Sequence, residues 1–409
     1  MKKALLFALL LPFFAVAQDK GIHFEHGLSW AEIQAKAKAE NKYIFIDCFT
    51  TWCGPCKYMS ANIFPLEEVG NFMNDKYISV KVQMDEAAKD NEEVKKWYAD
   101  AKMIGEKYSV RAYPTFLFFA PDGSIVDRQV GGGEAQAFIE RCADALKPEK
   151  QYYTQLDQYN KGKKDPEFLR SLALLALDKY DQKNATTFSK LYLDQQKDLY
   201  TKENLEFINK FTNSSKDVGF KMFLEHPDKV NKILGSGAAE NKIMEIAAQE
   251  EIYPKLMKKD KSAPDWAGLE KAVKAKYPKL AEEMLLKTKV QYFSYVKDAD
   301  NAVANIIAYM KKYGHKADPQ ELNEYAWTIF EKCNDMKCIE QALEWSKRSF
   351  KDKEVPAFMD TYANLLFKSG KKADAIAWEE KALKSANEQE RKNYEETLEK
   401  MKKGDKYWE

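Results

Sequence analysis

Two cysteines one helical turn apart, Cys53 and Cys56 in the stretch DCFTTWCGPCKYMS, are the residues of this sequence best placed to do chemistry. Three roles are open to such a pair: electron exchange with other thiols, half of a metal site, or a plain covalent staple. A zinc site needs further Cys or His ligands at finger spacing. The four histidines, at 23, 26, 226 and 315, show no such spacing with the cysteines, so no metal is expected. Exchange has a physical basis if the pair opens a helix, because unpaired backbone N–H groups and the helix dipole favour a thiolate at the first sulfur. A Cys53 thiolate can attack a disulfide in a partner, and Cys56, one turn further in, can then displace that partner. This requires the first cysteine exposed and the second shielded. Gly54 and Pro55 keep the intervening turn tight. Asp47, six positions upstream, sits among apolar neighbours such as Ile46 and Phe49 that offer it no partner. Desolvation is expected to raise its pKa, which suits a carboxyl that passes a proton to or from Cys56 through a water. A purely structural acid is the alternative.

The elements that must hold these groups follow from periodicity. LSWAEIQAKAKAENK reads as a helix with Ser29 as N-cap, YIFIDCF as a short buried strand, and the next helix begins at the cysteines. YISVKVQMD reads as a strand and NEEVKKWYADAKMIGEKY as one helix. PTFLFFAPDGSIVDRQV reads as two strands about a Pro-Asp-Gly turn, and EAQAFIERCADAL as a closing helix. Up to residue 147 the pattern is therefore α/β.

Beyond that point strand signals vanish and amphipathic helical stretches follow one another, broken by prolines from Pro166 to Pro356. Near the end, EYAWTIFEKCNDMKCIEQALEWSKRSF and TYANLLFKSGKKADAIAWEEKALK repeat one helix-turn-helix unit. Ile329-Phe330 matches Leu366-Phe367, and Ala342 and Trp345 match Ala375 and Trp378. The second unit, with Gly370 in its turn, resembles a tetratricopeptide repeat. Trp345 and Trp378 are read as repeat core, and stacked repeats commonly present a concave surface for a peptide. The expected divisions are 1–17, 18–147, 148–315 as a helical region of unclear type, and 316–409 as tetratricopeptide-like repeats.

The first 17 residues show a basic start, an apolar run and an Ala-Val-Ala site, which reads as a secretory signal peptide cleaved after Ala17. The run is shorter than a spanning helix requires, and no membrane span is expected in the mature chain. With 65 basic and 64 acidic side chains the charge nearly cancels, and no nucleic-acid partner is expected. An exported protein leaves the cytosolic reducing pool, so some of the six cysteines are expected to be oxidised. Cys48 and Cys142 read as small core residues. Cys333 and Cys338, in CNDMKC, are expected to close a local disulfide contributing about 2 kcal/mol.

DCFTTWCGPCK together with YPT at 113–115 and QVGGG at 129–133 resembles thioredoxin over residues 22–146. The resemblance implies an α/β thioredoxin-like domain, followed here by an all-α helical domain, and protein thiol-disulfide oxidoreductase activity without a cofactor. It places Asp47 at the family's buried acid, Lys81 at the lysine near that acid, Trp52 before the first cysteine and Lys57 after the second. It makes Pro114 a cis-proline that presents the Tyr113 backbone to an extended substrate strand, and sets Gly131 beside the active-site groove. Gly-Pro between the cysteines resembles the reducing members, so the partners implied are protein disulfide substrates. CKYMSANIFPLEEV is similar to periplasmic carriers fed by a membrane reductase, which implies such an electron donor. Phe49 departs from the usual second Trp, and the segment around NEEVKKWYADAKMIGEKY is longer than usual. The rival reading is a repeat-based binding or assembly protein that retains this domain as a scaffold.

Overall fold

The computed structural model describes residues 20–256 and 263–408, so the expected signal peptide lies outside the described residues. Two compact units are present, Met1–Lys197 and Asp198–Glu409. The first begins with helix α1 (Trp30–Glu40), started by a capping box in which Ser29 and Glu32 satisfy one another's backbone N–H. Strand β1 (Tyr43–Phe49) runs into α2 (Gly54–Tyr58), which continues as a wider π turn over Met59–Ile63 closed by the Phe64 N–H on the Met59 carbonyl. Then come α3 (Glu67–Lys76), β2 (Tyr77–Gln83), α4 (Glu92–Lys96), α5 (Tyr98–Lys107), β3 (Thr115–Phe119), β4 (Ile125–Val130) and α6 (Ala135–Asp144). The single helix expected over 91–108 is broken at Trp97, whose indole N–H reaches the Leu28 carbonyl.

The sheet order is β2-β1-β3-β4, with β1 parallel to β2 and the other neighbours antiparallel. Alternation along a strand sends successive side chains to opposite faces. Ile44, Ile46 and Cys48 of β1 join Ile33, Val80 and Ile104 in one core layer. Phe45 joins Met59, Phe64, Phe116 and Phe138 in the other, the layer built from the π turn, α3 and α6. Asp47 has the parity of Phe45 and so turns its carboxyl to the side of the sheet that packs against the segment carrying the cysteines.

Composition changes at residue 147, yet the first unit runs on through α7 (Tyr152–Asn160), α8 (Pro166–Asp178) and α9 (Gln182–Leu193). A buried polar knot joins them to the sheet. Asp127 of β4 accepts hydrogen bonds from the Tyr152 N–H (3.1 Å), the Gln129 amide (2.8 Å) and the Lys179 ammonium (3.2 Å). Burial pushes the Asp127 carboxyl up, and Lys179 opposes that shift. Both partners are nearly inaccessible, at 1% and 4% side-chain exposure, where an ion of either sign needs its partner.

The second unit is helical throughout its described residues. Pro319–Lys332 pairs with Met336–Ser349, and Pro356–Lys368 with Lys372–Ser385. A proline opens the first helix of each pair, where its missing N–H costs nothing. Ala342, Trp345 and Ala375 lie buried in this unit, with Trp378 packed against them. No helix among the described residues is long and apolar enough to cross a membrane.

Replacing Lys179 by Met should leave Asp127 buried without its cation. We expect a loss of about 3 kcal/mol or more in urea unfolding of the N-terminal unit at pH 7, shrinking at pH 4 where Asp127 takes up a proton.

Candidate active site

The end of β1 and the start of α2 build the site. Thr51 is held at the turn by Asp85, just beyond β2, whose carboxylate accepts the Thr51 N–H (3.0 Å) and hydroxyl (2.5 Å). Cys53 is the N-cap of α2, with its carbonyl accepting the Lys57 N–H and Pro55 in the first turn. Cys53 and Cys56 are joined as a disulfide, and the Cys56 N–H donates to Cys53 Sγ at 3.1 Å. That donor would equally serve a thiolate at Cys53.

One expectation is corrected here. Cys53 is 4% exposed and Cys56 3%, so the two are not distinguished by exposure in the oxidised state. Closing the ring draws both sulfurs together, and the exposed surface of the motif is carried by Trp52, Gly54, Pro55 and Lys57 instead. Trp52 stands out at 69% exposure and meets Tyr113 edge-on at 5.8 Å.

The Tyr113–Pro114 peptide is cis. The Pro114 carbonyl accepts the Gly131 N–H at 2.8 Å, which ties the two loops at this end of the sheet. Gly131 has φ +88°, a conformation that favours glycine. The next residue makes the closer approach: a Cβ on Gly132 would lie 3.1 Å from the Met59 sulfur. Glu134 accepts the Tyr58 hydroxyl from the exposed side of α2.

Asp47 is 1% exposed, and neither of its oxygens has a hydrogen-bond partner. Its cross-strand neighbour Lys81 places an ammonium 3.4 Å away. Burial dominates and raises the carboxyl to about 6, with Lys81 as the opposing influence. The structure therefore brings Cys53, Cys56, Trp52, Tyr113, Pro114 and Gly131 to one end of the sheet, and pairs Asp47 with Lys81 on the face that α2 covers. Thr51, Asp85 and Ser60, which donors and acceptors here depend on, were not singled out from sequence. Asp85 carried a weak signal, an acid directly after a strand.

Cys333 and Cys338 are a second correction, since both are free thiols. Cys333 ends one helix with its sulfur toward the Asp335 carbonyl at 3.9 Å, and Cys338 lies in the first turn of the next. Burial, and then the hydrogen bond with Cys333, push the Cys338 thiol up to about 12. Cys48 and Cys142 are fully buried thiols, each pushed far above the usual range by burial. Among the described residues no cluster of His, Cys, Asp and Glu could hold a metal ion.

Residues 30–146 match the family model of a thioredoxin-like domain. Over 91 residues the chain is 36% identical to a thioredoxin of Mycoplasmoides gallisepticum, covering 22% of this chain and 72% of that protein. Over 107 residues it is 35% identical to the chloroplastic thioredoxin Y1 of Arabidopsis thaliana, covering 26% of this chain and 52% of that one. A solution structure from Bacteroides thetaiotaomicron, described as a candidate disulphide-isomerase, shares 34% identity and covers 32% of this chain and 98% of its own, with a TM-score of 0.27. With its cysteine pair, cis-proline and buried acid on this sheet, the chain belongs to the thioredoxin family through its N-terminal domain. It spans only about half to two thirds of the length of several curated relatives, and the helices beyond residue 146 lie outside the family match.

The raised carboxyl makes a stability prediction. The folded protein holds a proton on Asp47 that the unfolded chain releases near pH 4, so stability falls as pH rises from about 4 to 6. Asp47→Asn should be more stable than the parent at pH 7, by on the order of 3 kcal/mol. The two should converge below about pH 4 in urea titrations of the oxidised proteins.

Proposed function

We propose that the protein is an exported thiol-disulfide oxidoreductase that reduces disulfides in other proteins. The observation that carries this reading is the Cys53–Cys56 disulfide at the start of α2, with a backbone N–H aimed at Cys53 Sγ.

In the reduced protein the Cys53 thiolate attacks one sulfur of a substrate disulfide. A Cys53–substrate bond forms, the substrate S–S bond breaks, and one substrate thiolate leaves. Cys56 then gives its proton through water to ionised Asp47, and the new thiolate attacks Cys53 Sγ. The mixed disulfide breaks, the second substrate thiolate departs, and the internal disulfide remains. Two electrons have passed to the substrate, and a dithiol donor must return them. The stretch CKYMSANIFPLEEV, which begins at Cys56, is similar to carriers fed by a membrane reductase, and we assign that class of donor.

Trp52 and the Tyr113–Pro114 segment form the rim on which an extended substrate strand pairs, with Gly131 opposite. Lys57 and the Gly54-Pro55 turn shape the same rim. The leader over residues 1–17 directs export to a periplasm-like compartment, and the functional divisions are 18–147, 148–315 and 316–409, of which the second begins with the helices that pack in the first compact unit. The last of these carries tetratricopeptide-like repeats that select or position partners, in keeping with its paired helices.

Insulin reduction by the full mature chain tests the activity: Cys53→Ser should fall to the uncatalysed rate, and equal turnover by parent and variant would instead favour the scaffold reading. Cys56→Ser should accumulate mixed disulfides at Cys53, seen as thiol-sensitive adducts on non-reducing gels, because the resolving sulfur is gone.

A further inference from the structure

Lys81 has a choice of partners, and the structure shows which it takes. Its ammonium donates to the Ser60 hydroxyl at 2.5 Å, while the nearest Asp47 oxygen is 3.4 Å away and without any hydrogen-bond donor. Three phenyl rings surround the same ammonium, Phe49 at 5.1 Å, Phe64 at 5.2 Å and Phe24 at 5.4 Å from their centroids. An ammonium over a ring face is attracted by the ring quadrupole, and more strongly when partly desolvated. The rings and the hydroxyl come from three separate segments, Phe24, Phe49 at the end of β1, and Ser60 with Phe64 at the π turn, so the ammonium is located by the fold and not by its own chain. Ser60 belongs to the π turn that follows Cys56, and such turns often occur at functional sites.

We propose that Ser60 is a positioning residue for the dithiol chemistry: with the Phe24, Phe49 and Phe64 cage it holds the Lys81 ammonium short of Asp47, and so governs proton exchange between Asp47 and Cys56. The inference deepens the oxidoreductase reading and rests on it for its functional meaning. Its physical content is narrower. An ammonium in direct hydrogen bonding would keep the carboxyl ionised, whereas one held back leaves burial in control. Burial is the largest influence on the Asp47 carboxyl and outweighs the opposing Lys81 ammonium at its 3.4 Å distance. Lys81 on β2 is the charged group acting on Asp47. Its neighbour along β1, Cys48, is a thiol that burial keeps protonated, and Phe116 faces it from β3. In the oxidised protein Cys53 and Cys56 do not titrate.

The test is a pH titration of the protonated-carboxyl infrared band in the oxidised full chain, assigned by its loss in Asp47→Asn. In Ser60→Ala, Lys81 loses its hydroxyl acceptor and closes on the remaining oxygen, so the midpoint should fall by about one pH unit. Ser60→Thr, which keeps the hydroxyl, should restore it toward the parent value. An unchanged or raised midpoint in Ser60→Ala would overturn the proposal, as would an equal fall in Ser60→Thr. Because this titration needs no turnover, it stands apart from the insulin assay. A shifted midpoint in a protein that reduces nothing would uphold the positioning and reject the enzyme.

Discussion

A carboxyl group held inside an aromatic core without a single hydrogen-bond donor is the constraint on which this active site turns. Asp47 lies on the sheet face shared with Phe45 and Phe116, next to the packing layer that includes the π turn. An ionised carboxylate there loses its hydration with nothing but a displaced ammonium in return. The fold tolerates it because the proton can stay. A group that costs stability when ionised, yet ionises within reach of neutral pH, is suited to accept a proton in one half of a catalytic cycle and return it in the other. The same burial that makes Asp47 a structural liability brings its titration toward neutral pH.

Much of this was legible in the chain. Alternation in YIFIDCF, the Ser29 and Glu32 cap and the Pro-Asp-Gly turn each act over a few residues, so periodicity and turn chemistry locate them without tertiary knowledge. The cysteine pair, Asp47, Lys81 and Pro114 were legible because their residue types and spacings are unusual by themselves. What escaped notice depends on contacts between distant segments. Ser60 looks like an ordinary helix-surface serine until the π turn and β2 bring Lys81 to it. The break at Trp97 follows from an indole reaching Leu28, across a large sequence separation that no local pattern records. The buried Glu379, raised to about 9 by burial and by facing Asp360, is invisible for the same reason. Its partner Asp360 comes from the preceding helix.

The helices after residue 147 show how one buried ion pair can decide where a compact unit ends. Strand β4 is one of the two outer strands of the sheet, and an outer strand left open exposes backbone groups to unwanted pairing. Here α7 packs against β4, and Asp127 reaches across to the Tyr152 N–H and the Lys179 ammonium. A hydrophobic contact alone would tolerate sliding. Two of the donors on that carboxylate, the Tyr152 N–H and the Lys179 ammonium, come from the helical segment and fix both distance and register, because shifting the helices by a turn would strand both. A change of composition marks where strands stop being written into the sequence. It says nothing about which following helices those strands will recruit.

The six cysteines pose the last question, which is what distinguishes the joined pair from the four free thiols. Burial does not separate them, since Cys53 is as enclosed as Cys338. The difference lies in what faces the sulfur. Cys48 and Cys142 are enclosed by apolar side chains that penalise a thiolate and hold both thiols protonated at any physiological pH. Cys338 has a thiol neighbour, Cys333, that adds to the same penalty. Only Cys53 among the described cysteines is shown receiving a backbone N–H, from Cys56, and only its helix start is flanked by an exposed indole and a cis-proline loop. The sulfur that meets a backbone N–H thus lies beside the exposed indole and the cis-proline loop, while Cys48, Cys142 and Cys338 lie where burial penalises a thiolate.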